Sequence, residues 1–410
     1  MKKWFVIILI LLFSSVVIFF KFNQMPHNIS FDEIEFARLA LSLENNNYSS
    51  YSSMATGHST LYFYILLLFI KLFGITNFAL RLPSAIFGVG CVLVFFFVLK
   101  QVFNKTNYYL LPFIGAFVLL TSRWFLNFAR FSFEATFLLF LELISILFVL
   151  KYSKNKENLF LVLSGIFAGF SFLSYVPGRI FFLVPLIILL YKKIKIKELF
   201  LYIVPFALMA APLIFYLITN TDARINEVSI FSQKVSTPSK VKMISENAQK
   251  TLIMFNLSGD MNGRHNYPGK PALNLLLGLM FIAGLILAAR DFKDWKNKLF
   301  IVYFIVSLSP TLLTLPLDNP NMLRTFTVLP SVIYFIVYGI TKITSFNFKV
   351  NKNIILPAII GLVLISSFYE LRTYFIFQSR VFRNSFEVKC PIEEVIDRIP
   401  KKCLVNKNEF

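Results

Sequence analysis

Charge is scarce in this chain, and acid scarcest of all. Asp and Glu number 21 of 410 residues against 41 Lys and Arg, and charged residues are only 15% of the whole. A soluble domain of this length carries far more polar surface, so an ordinary globular enzyme is excluded. Metal-ligating residues are few: three histidines and three cysteines, with no zinc-type spacing among them. There is no Walker loop and no Gly-x-Gly-x-x-Gly opening a βαβ unit, which argues against nucleotide-driven chemistry. Three cysteines cannot build a disulfide scaffold. No repeat of fixed period and no low-complexity segment is present.

What fills the chain instead is apolar. Hydrophobic residues make up 57%, and the mean hydropathy is +0.69. This composition describes an all-α polytopic membrane protein. The net charge of +20 would suggest nucleic acid in a soluble protein. Here the basic residues fall in short gaps between hydrophobic runs, with no folded soluble domain around them. That pattern reads as membrane topology and not as a nucleic-acid surface.

About eleven runs are candidate spans: 4–20, 84–100, 108–122, 134–150, 159–176, 180–191, 199–218, 272–289, 299–315, 325–341 and 354–373. The first follows Met1-Lys2-Lys3 and lacks small residues for cleavage, so it reads as an uncleaved span with its N-terminus in the cytoplasm. The run 60–74 is also apolar, and positive charge decides its role. If it does not cross, the gaps holding Lys100/Lys105, Lys151/Lys154/Lys156, Lys192/Lys193/Lys195/Lys197, Arg290/Lys293/Lys296/Lys298 and Lys342/Lys349/Lys352 all fall inside, as the positive-inside rule asks. The expectation is therefore a juxtamembrane or re-entrant helix over 60–74. The organisation is then one transmembrane body over 1–374, with outer loops 21–83 and 219–271 and an extracytoplasmic tail over 375–410. In an oxidising compartment Cys390 and Cys403 of that tail can form a disulfide; Cys91, inside a hydrophobic run, reads as packing.

The residues that could carry chemistry lie on the outer side. Ser30-Phe31-Asp32-Glu33 follows the first span. Ser30-x-x-Glu33 is a capping box with Ile29 and Ile34 as its hydrophobic staple, which is a sufficient structural role for Glu33. Asp32 could complement the helix dipole, or serve as a general base at the membrane surface. His58-Ser59-Thr60-Leu61-Tyr62 opens the 60–74 helix, whose N-terminus favours an anion; His58 is either a donor there or a surface histidine. Arg81, before the next span, reads as an interfacial anchor or an anion ligand. Arg130 and Glu134 stand one turn apart, so they form an i,i+4 pair or Arg130 faces an outer cavity. Glu142, deep in a span, needs a polar partner. Tyr175-Val176-Pro177-Gly178-Arg179 makes a tight outer turn, with Arg179 snorkelling. The segment Gly259 to Lys270, with Arg264 and His265, is a functional loop or a solvated connector. Arg324, after Asn319-Pro320-Asn321, sits at the mouth of a span, where an arginine can clamp phosphate.

The order of these motifs resembles a known family. Asp32-Glu33 with Phe36-Ala37-Arg38-Leu39-Ala40, then His58-x-x-Leu61-Tyr62, Leu72-Phe73-Gly74 and Phe78-Ala79-Leu80-Arg81-Leu82-Pro83-Ser84 are similar to the dolichyl-phosphate-mannose–protein mannosyltransferase (glycosyltransferase 39) and aminoarabinose-transferase-like group of GT-C membrane glycosyltransferases. Weaker matches follow at Arg130-x-x-x-Glu134, Tyr175 to Arg179, Gly259-Asp260 with Arg264-His265-Asn266, and Pro320 to Thr325. The resemblance implies a GT-C helical body with juxtamembrane helices in the first outer loop. It implies an inverting transfer of a sugar from a polyprenyl-phosphate donor to a hydroxyl of a lipid, glycan or protein, on the extracytoplasmic face. It makes Asp32, with Glu33, the catalytic acid pair. His58, Arg81, Arg130, Arg264 and Arg324 are then donor-phosphate ligands, and Tyr62, Glu134, Tyr175, Arg179 and His265 supporting or acceptor residues. Where many members carry Pro-Pro-Leu after a Lys or His, this chain has His58-Ser59-Thr60-Leu61. No resident cofactor or metal is implied. Two other classes fit the composition: a transporter or flippase of a lipid-linked substrate, without covalent transfer, and a structural or assembly subunit.

Overall fold

The computed structural model of the protein describes residues 3–45, 47–103, 110–345 and 352–405. Met1, Lys2, Lys105 and Lys349 of the expected topology lie outside the described residues, as do 108–109 of one expected span and 406–410 of the tail. The chain is helical nearly throughout. The chain opens with α1 (Lys3–Phe19), α2 (Phe31–Ser42), a hairpin of the two-residue strands β1 (Tyr51–Ser52) and β2 (His58–Ser59), α3 (Leu61–Phe73) and α4 (Asn77–Val102). Next come α5 (Leu111–Thr121), α6 (Arg123–Phe128), α7 (Ala135–Asn155), α8 (Leu159–Phe172), α9 (Leu183–Tyr191) and α10 (Ile196–Thr219). Then follow α11 (Ala223–Val228), α12 (Thr237–Met254), α13 (Leu275–Arg290), α14 (Trp295–Leu312) and α15 (Leu329–Ser345). The chain ends in α16 (Lys352–Arg372), α17 (Ser379–Ser385) and α18 (Ile392–Val395).

An apolar helix coincides with every expected span, but length divides them. Among the described residues, six are long and apolar enough to cross a bilayer: Trp4–Gln24, Asn77–Val102, Ala135–Asn155, Ile196–Thr219, Phe326–Thr344 and Leu356–Ser385. Others are shorter, such as the 11-residue α5, which at 1.5 Å per residue reaches only about 17 Å of a roughly 30 Å core. By the same measure α3, with 13 residues, falls short of a crossing. The last helix also runs further than 373, continuing as a π-helical turn over Thr373–Gln378 into α17.

Helix packing follows the rule that small residues let helices approach where no water drives them together. Gly165 and Gly169 of α8 lie against α10: a Cβ on Gly165 would come within 2.2 Å of the Tyr202 carbonyl oxygen, and one on Gly169 within 2.9 Å of that of Phe206. Elsewhere α4 packs on α7 and α13 on α15.

The segment after α1 is locked to this body by one buried ion pair. Ser30 caps α2, accepting from the Glu33 amide at 3.1 Å while Glu33 Oε2 accepts from the Ser30 amide at 3.2 Å, the expected capping box. The same carboxylate receives Arg81 Nε at 2.8 Å and Nη2 at 3.0 Å, and the Ser132 amide at 3.0 Å. Arg81 spends its other hydrogens on the carbonyls of Pro26 and Asn28, at 2.6 and 2.7 Å. Both side chains are almost fully buried.

The tail folds back onto the same loop. Val388 bridges Ile29 on one side and Leu404 on the other, and Cys390 and Cys403 form a disulfide with Cα atoms 5.2 Å apart. Arg38 of α2 donates to the carbonyls of Ile396 (2.6 Å) and Asp397 (3.2 Å). Replacing Glu33 by Ala leaves Arg81 charged and unpaired inside the fold, and should cost about 3–5 kcal/mol of stability. A thermal melt of the detergent-solubilised protein checks this; an unchanged midpoint would show that the clamp is not structural.

Candidate active site

Adjacent carboxylates at the start of α2 point in different directions, because successive helical residues are about 100° apart. Glu33 turns inward to Arg81. Asp32 turns outward and is 48% exposed, with its Oδ2 2.8 Å from Arg264 Nη1. This is the one pairing among the expected catalytic and phosphate-binding residues that the fold makes across sequence-distant segments at an open surface.

Arg264 is held there by a stiff loop. Asp260 accepts from the Asn262 amide through Oδ1 at 2.8 Å, and Asn262 Oδ1 accepts from the Arg264 amide at 3.0 Å. Asp260 Oδ2 accepts from the Met322 amide at 2.8 Å and meets His265 Nδ1 at 2.9 Å. Asn266 donates to the carbonyls of Asp260 and Lys270, at 3.0 and 2.7 Å. From outside the loop, Asn127 donates to the Arg264 carbonyl and Gln378 to that of Gly263. Tied down by these bonds from within and from outside, the segment is not a solvated connector. His265 is buried against Asp260 and the Phe128 ring, so it fixes the loop and does not face the opening.

The other expected residues divide into buried struts and cleft residues. His58 is neither a surface histidine nor an exposed donor: it is buried, bonded through Nδ1 to Glu134 Oε1 at 2.7 Å and packed edge-on against Phe36 and Phe63. The Arg130–Glu134 pair is therefore not formed. Arg130 is fully buried and gathers carbonyls at the end of α1, donating to Ile18 (2.7 Å), Phe20 (2.8 Å) and Met25 (3.1 Å). Neither Arg81 nor Arg130 is open to an outer ligand. Tyr62 is buried with its hydroxyl 2.9 Å from that of Ser84, and Glu142 accepts from the Tyr303 hydroxyl at 2.6 Å.

Tyr175, Arg179 and Arg324 meet with Arg224 in a cleft of about 340 Å³, otherwise lined by apolar residues such as Ile225, Phe231 and Pro310. Arg179 does not snorkel; it is buried and paired with Asp222, which also accepts from the Tyr51 hydroxyl. Burial raises the Asp222 carboxyl, but Arg179 and the Ile225 amide outweigh it and leave the group below the usual carboxylate range. Arg324 bonds Asp318 at 3.0 Å and the Thr314 hydroxyl at 3.2 Å. Burial pushes the Tyr175 phenol up to about 12, with Glu134 and Asp32 adding and Arg224 and Arg324 opposing. Tyr175 thus lies within electrostatic reach of both the acids and the arginines. Ring contacts connect the same groups: Phe36 of α2 meets Phe133, and Phe133 meets Tyr175.

Sequence reasoning missed Asp222, Arg224 and Glu387. Asp222 carried a readable signal as the N-cap of α11, accepting from the Ile225 amide. Glu387 carried none.

The comparisons bear on this arrangement. Residues 57–218 match the family model described as dolichyl-phosphate-mannose-protein mannosyltransferase. The fold is similar to that of ArnT from Cupriavidus metallidurans solved with undecaprenyl phosphate: TM-score 0.54, 13% identity, 93% of this chain and 76% of that one covered. It is also similar to the archaeal oligosaccharyltransferase AglB from Archaeoglobus fulgidus, solved with an inhibitory peptide and a dolichol-phosphate: TM-score 0.52, 12% identity, 93% of this chain but 56% of that one. No curated protein sequence matches the chain. The helical body shares the fold of these GT-C-class membrane glycosyltransferases, and the family model matches residues 57–218 of the chain. Within that class, the family matched is that of the dolichyl-phosphate-mannose–protein mannosyltransferases, the group the motifs resemble. The matched stretch includes His58, Arg81, Arg130, Glu134, Tyr175 and Arg179, whereas Asp32 and Arg264 lie outside it.

The raised phenol gives a test of the cleft. A phenol whose folded value lies above its ordinary 10 stays neutral through the physiological range; its stabilising share is fully present below about 10 and is lost as pH rises from there through about 12. The ultraviolet titration of wild type minus Tyr175→Phe should show one phenol ionising near 12; ionisation near 10 would mean an open, solvated cleft.

Proposed function

We propose that the protein transfers a sugar from a polyprenyl-phosphate-linked donor to a hydroxyl acceptor on the extracytoplasmic face, inverting the anomeric centre. The observation that carries this reading is the Asp32–Arg264 pair, a half-exposed carboxylate 2.8 Å from a guanidinium held by a stiff loop. Asp32 takes the proton of the acceptor hydroxyl as its oxygen attacks the anomeric carbon. The bond from that carbon to the phosphate oxygen breaks, its electron pair stays on the polyprenyl phosphate, and Arg264 stabilises the charge that develops there. The acid and the phosphate ligand must separate for this, so the ion pair describes the resting site: an arriving phosphate takes Arg264 and frees Asp32. The neighbouring cleft, with Arg179, Arg224 and Arg324 on apolar walls, suits the polar part of an amphiphile next to the reacting groups. The relatives support the donor class: one was solved with undecaprenyl phosphate and one with a dolichol-phosphate. The positive-inside pattern supports the outer face for the site.

Membranes containing the protein, given radiolabelled dolichyl-phosphate mannose or undecaprenyl-phosphate aminoarabinose, should pass label to a new molecule. Asp32→Asn should lower transfer at least about a hundredfold, the usual share of a general base, without loss of inserted protein. Near-normal turnover in that variant would sink the assignment.

A further inference from the structure

Arg264 has a second acid beside it. Glu387 Oε1 lies 3.9 Å from the same Nη1 that pairs with Asp32, and its Oε2 accepts from the Phe31 amide at 3.2 Å. One carboxylate thus touches both halves of the proposed site: the first turn of the helix that carries Asp32, and the guanidinium. We propose that Glu387 is a positioning residue for Arg264, delivered by the disulfide-closed tail, and that its charge offsets part of the pull of Arg264 on the phosphate.

The tail is built to hold this residue. Glu387 sits between Phe386, whose carbonyl accepts from Asn28 at 3.2 Å, and Val388, whose amide and carbonyl bond Ile29 at 3.0 and 2.9 Å. On the far side, Val405 donates to the Glu387 carbonyl at 2.9 Å and Lys389 donates to that of Cys403 at 2.8 Å. The Cys390–Cys403 bond closes the loop between these strands. Glu387 is half-buried (27% exposed) and Arg264 similarly so (22%), which weakens solvent screening between them. When a phosphate displaces Asp32 from Arg264, Glu387 stays attached through Phe31 and keeps the guanidinium from following the ligand. By competing for the same guanidinium, Glu387 also loosens its hold on the polyprenyl phosphate, which must leave after each transfer.

This inference rests on the reading that Arg264 meets the phosphate, and the test separates the two. The probe is undecaprenyl phosphate, with its binding to the full chain measured in lipid nanodiscs. Glu387→Gln keeps an acceptor for Phe31 but removes the charge, and should bind the probe about three- to tenfold more tightly, as loss of one nearby like charge predicts. In an Arg264→Ala background the same change should have no effect. The double variant Cys390→Ser/Cys403→Ser should shift affinity in the same direction and add little to Glu387→Gln. A role limited to capping α2 predicts unchanged affinity in Glu387→Gln, and that result, or a gain that persists without Arg264, overturns the proposal. If Arg264→Ala binds the probe like wild type, the phosphate reading itself fails. If Arg264→Ala loses binding while Glu387→Gln matches wild type, only the inference about Glu387 fails.

Discussion

The ion pair of Glu33 with Arg81 is the constraint on which the region around the candidate site rests. A carboxylate and a guanidinium removed from water are tolerable only when every remaining hydrogen and lone pair is matched. Here the match recruits four separate pieces of chain: the cap of α2, the Pro26–Asn28 turn, the body of α4 and the Ser132 amide. Once these are joined, the direction of α2 is fixed. The residue one position earlier can then face only outward, so a structural acid dictates where its neighbour is presented.

The same division runs through the other charges. Arg130, His58, Glu134 and His265 have the chemistry of ligands, but each is spent inside the fold on a carbonyl group or an opposite partner. In a chain this poor in acids, carboxylates such as Glu33, Glu134 and Asp260 hold loops in register. That leaves Asp32, Arg264 and, in the Tyr175 cleft, Arg224 and Arg324 less deeply committed.

Periodicity and composition made most of the fold legible: an apolar helix lies at each expected span, and the Ser30–Glu33 box forms as written. Helix length was not legible, because a hydrophobic run does not say where a turn or a short helix such as α5 will cut it. In the site, residue types and their order singled out Asp32 and Arg264, which meet. They did not reveal that Arg81 and Arg130 turn inward, because that choice depends on carbonyls and carboxylates contributed by distant segments. The Arg130–Glu134 spacing was misleading for the same reason: local geometry allowed a pair that His58 took instead. Glu387 was invisible, lying in a tail with no motif and reaching Phe31 from 356 residues away.

That separation sets an order of biosynthesis. The amide and carbonyl of Ile29 and the amide of Phe31 leave the ribosome early, but their partners at Val388 and Glu387 follow more than 350 residues later. At roughly 5–20 residues per second, the start of α2 waits about 20–70 s for the segment that covers it. Until then the α2 segment has an unpaired edge, and oxidation of Cys390 and Cys403 comes later still. The segment around Glu387 therefore zips the start of α2 shut, and a ribosome that stalls before reaching it leaves the earlier helices beside an unfinished surface.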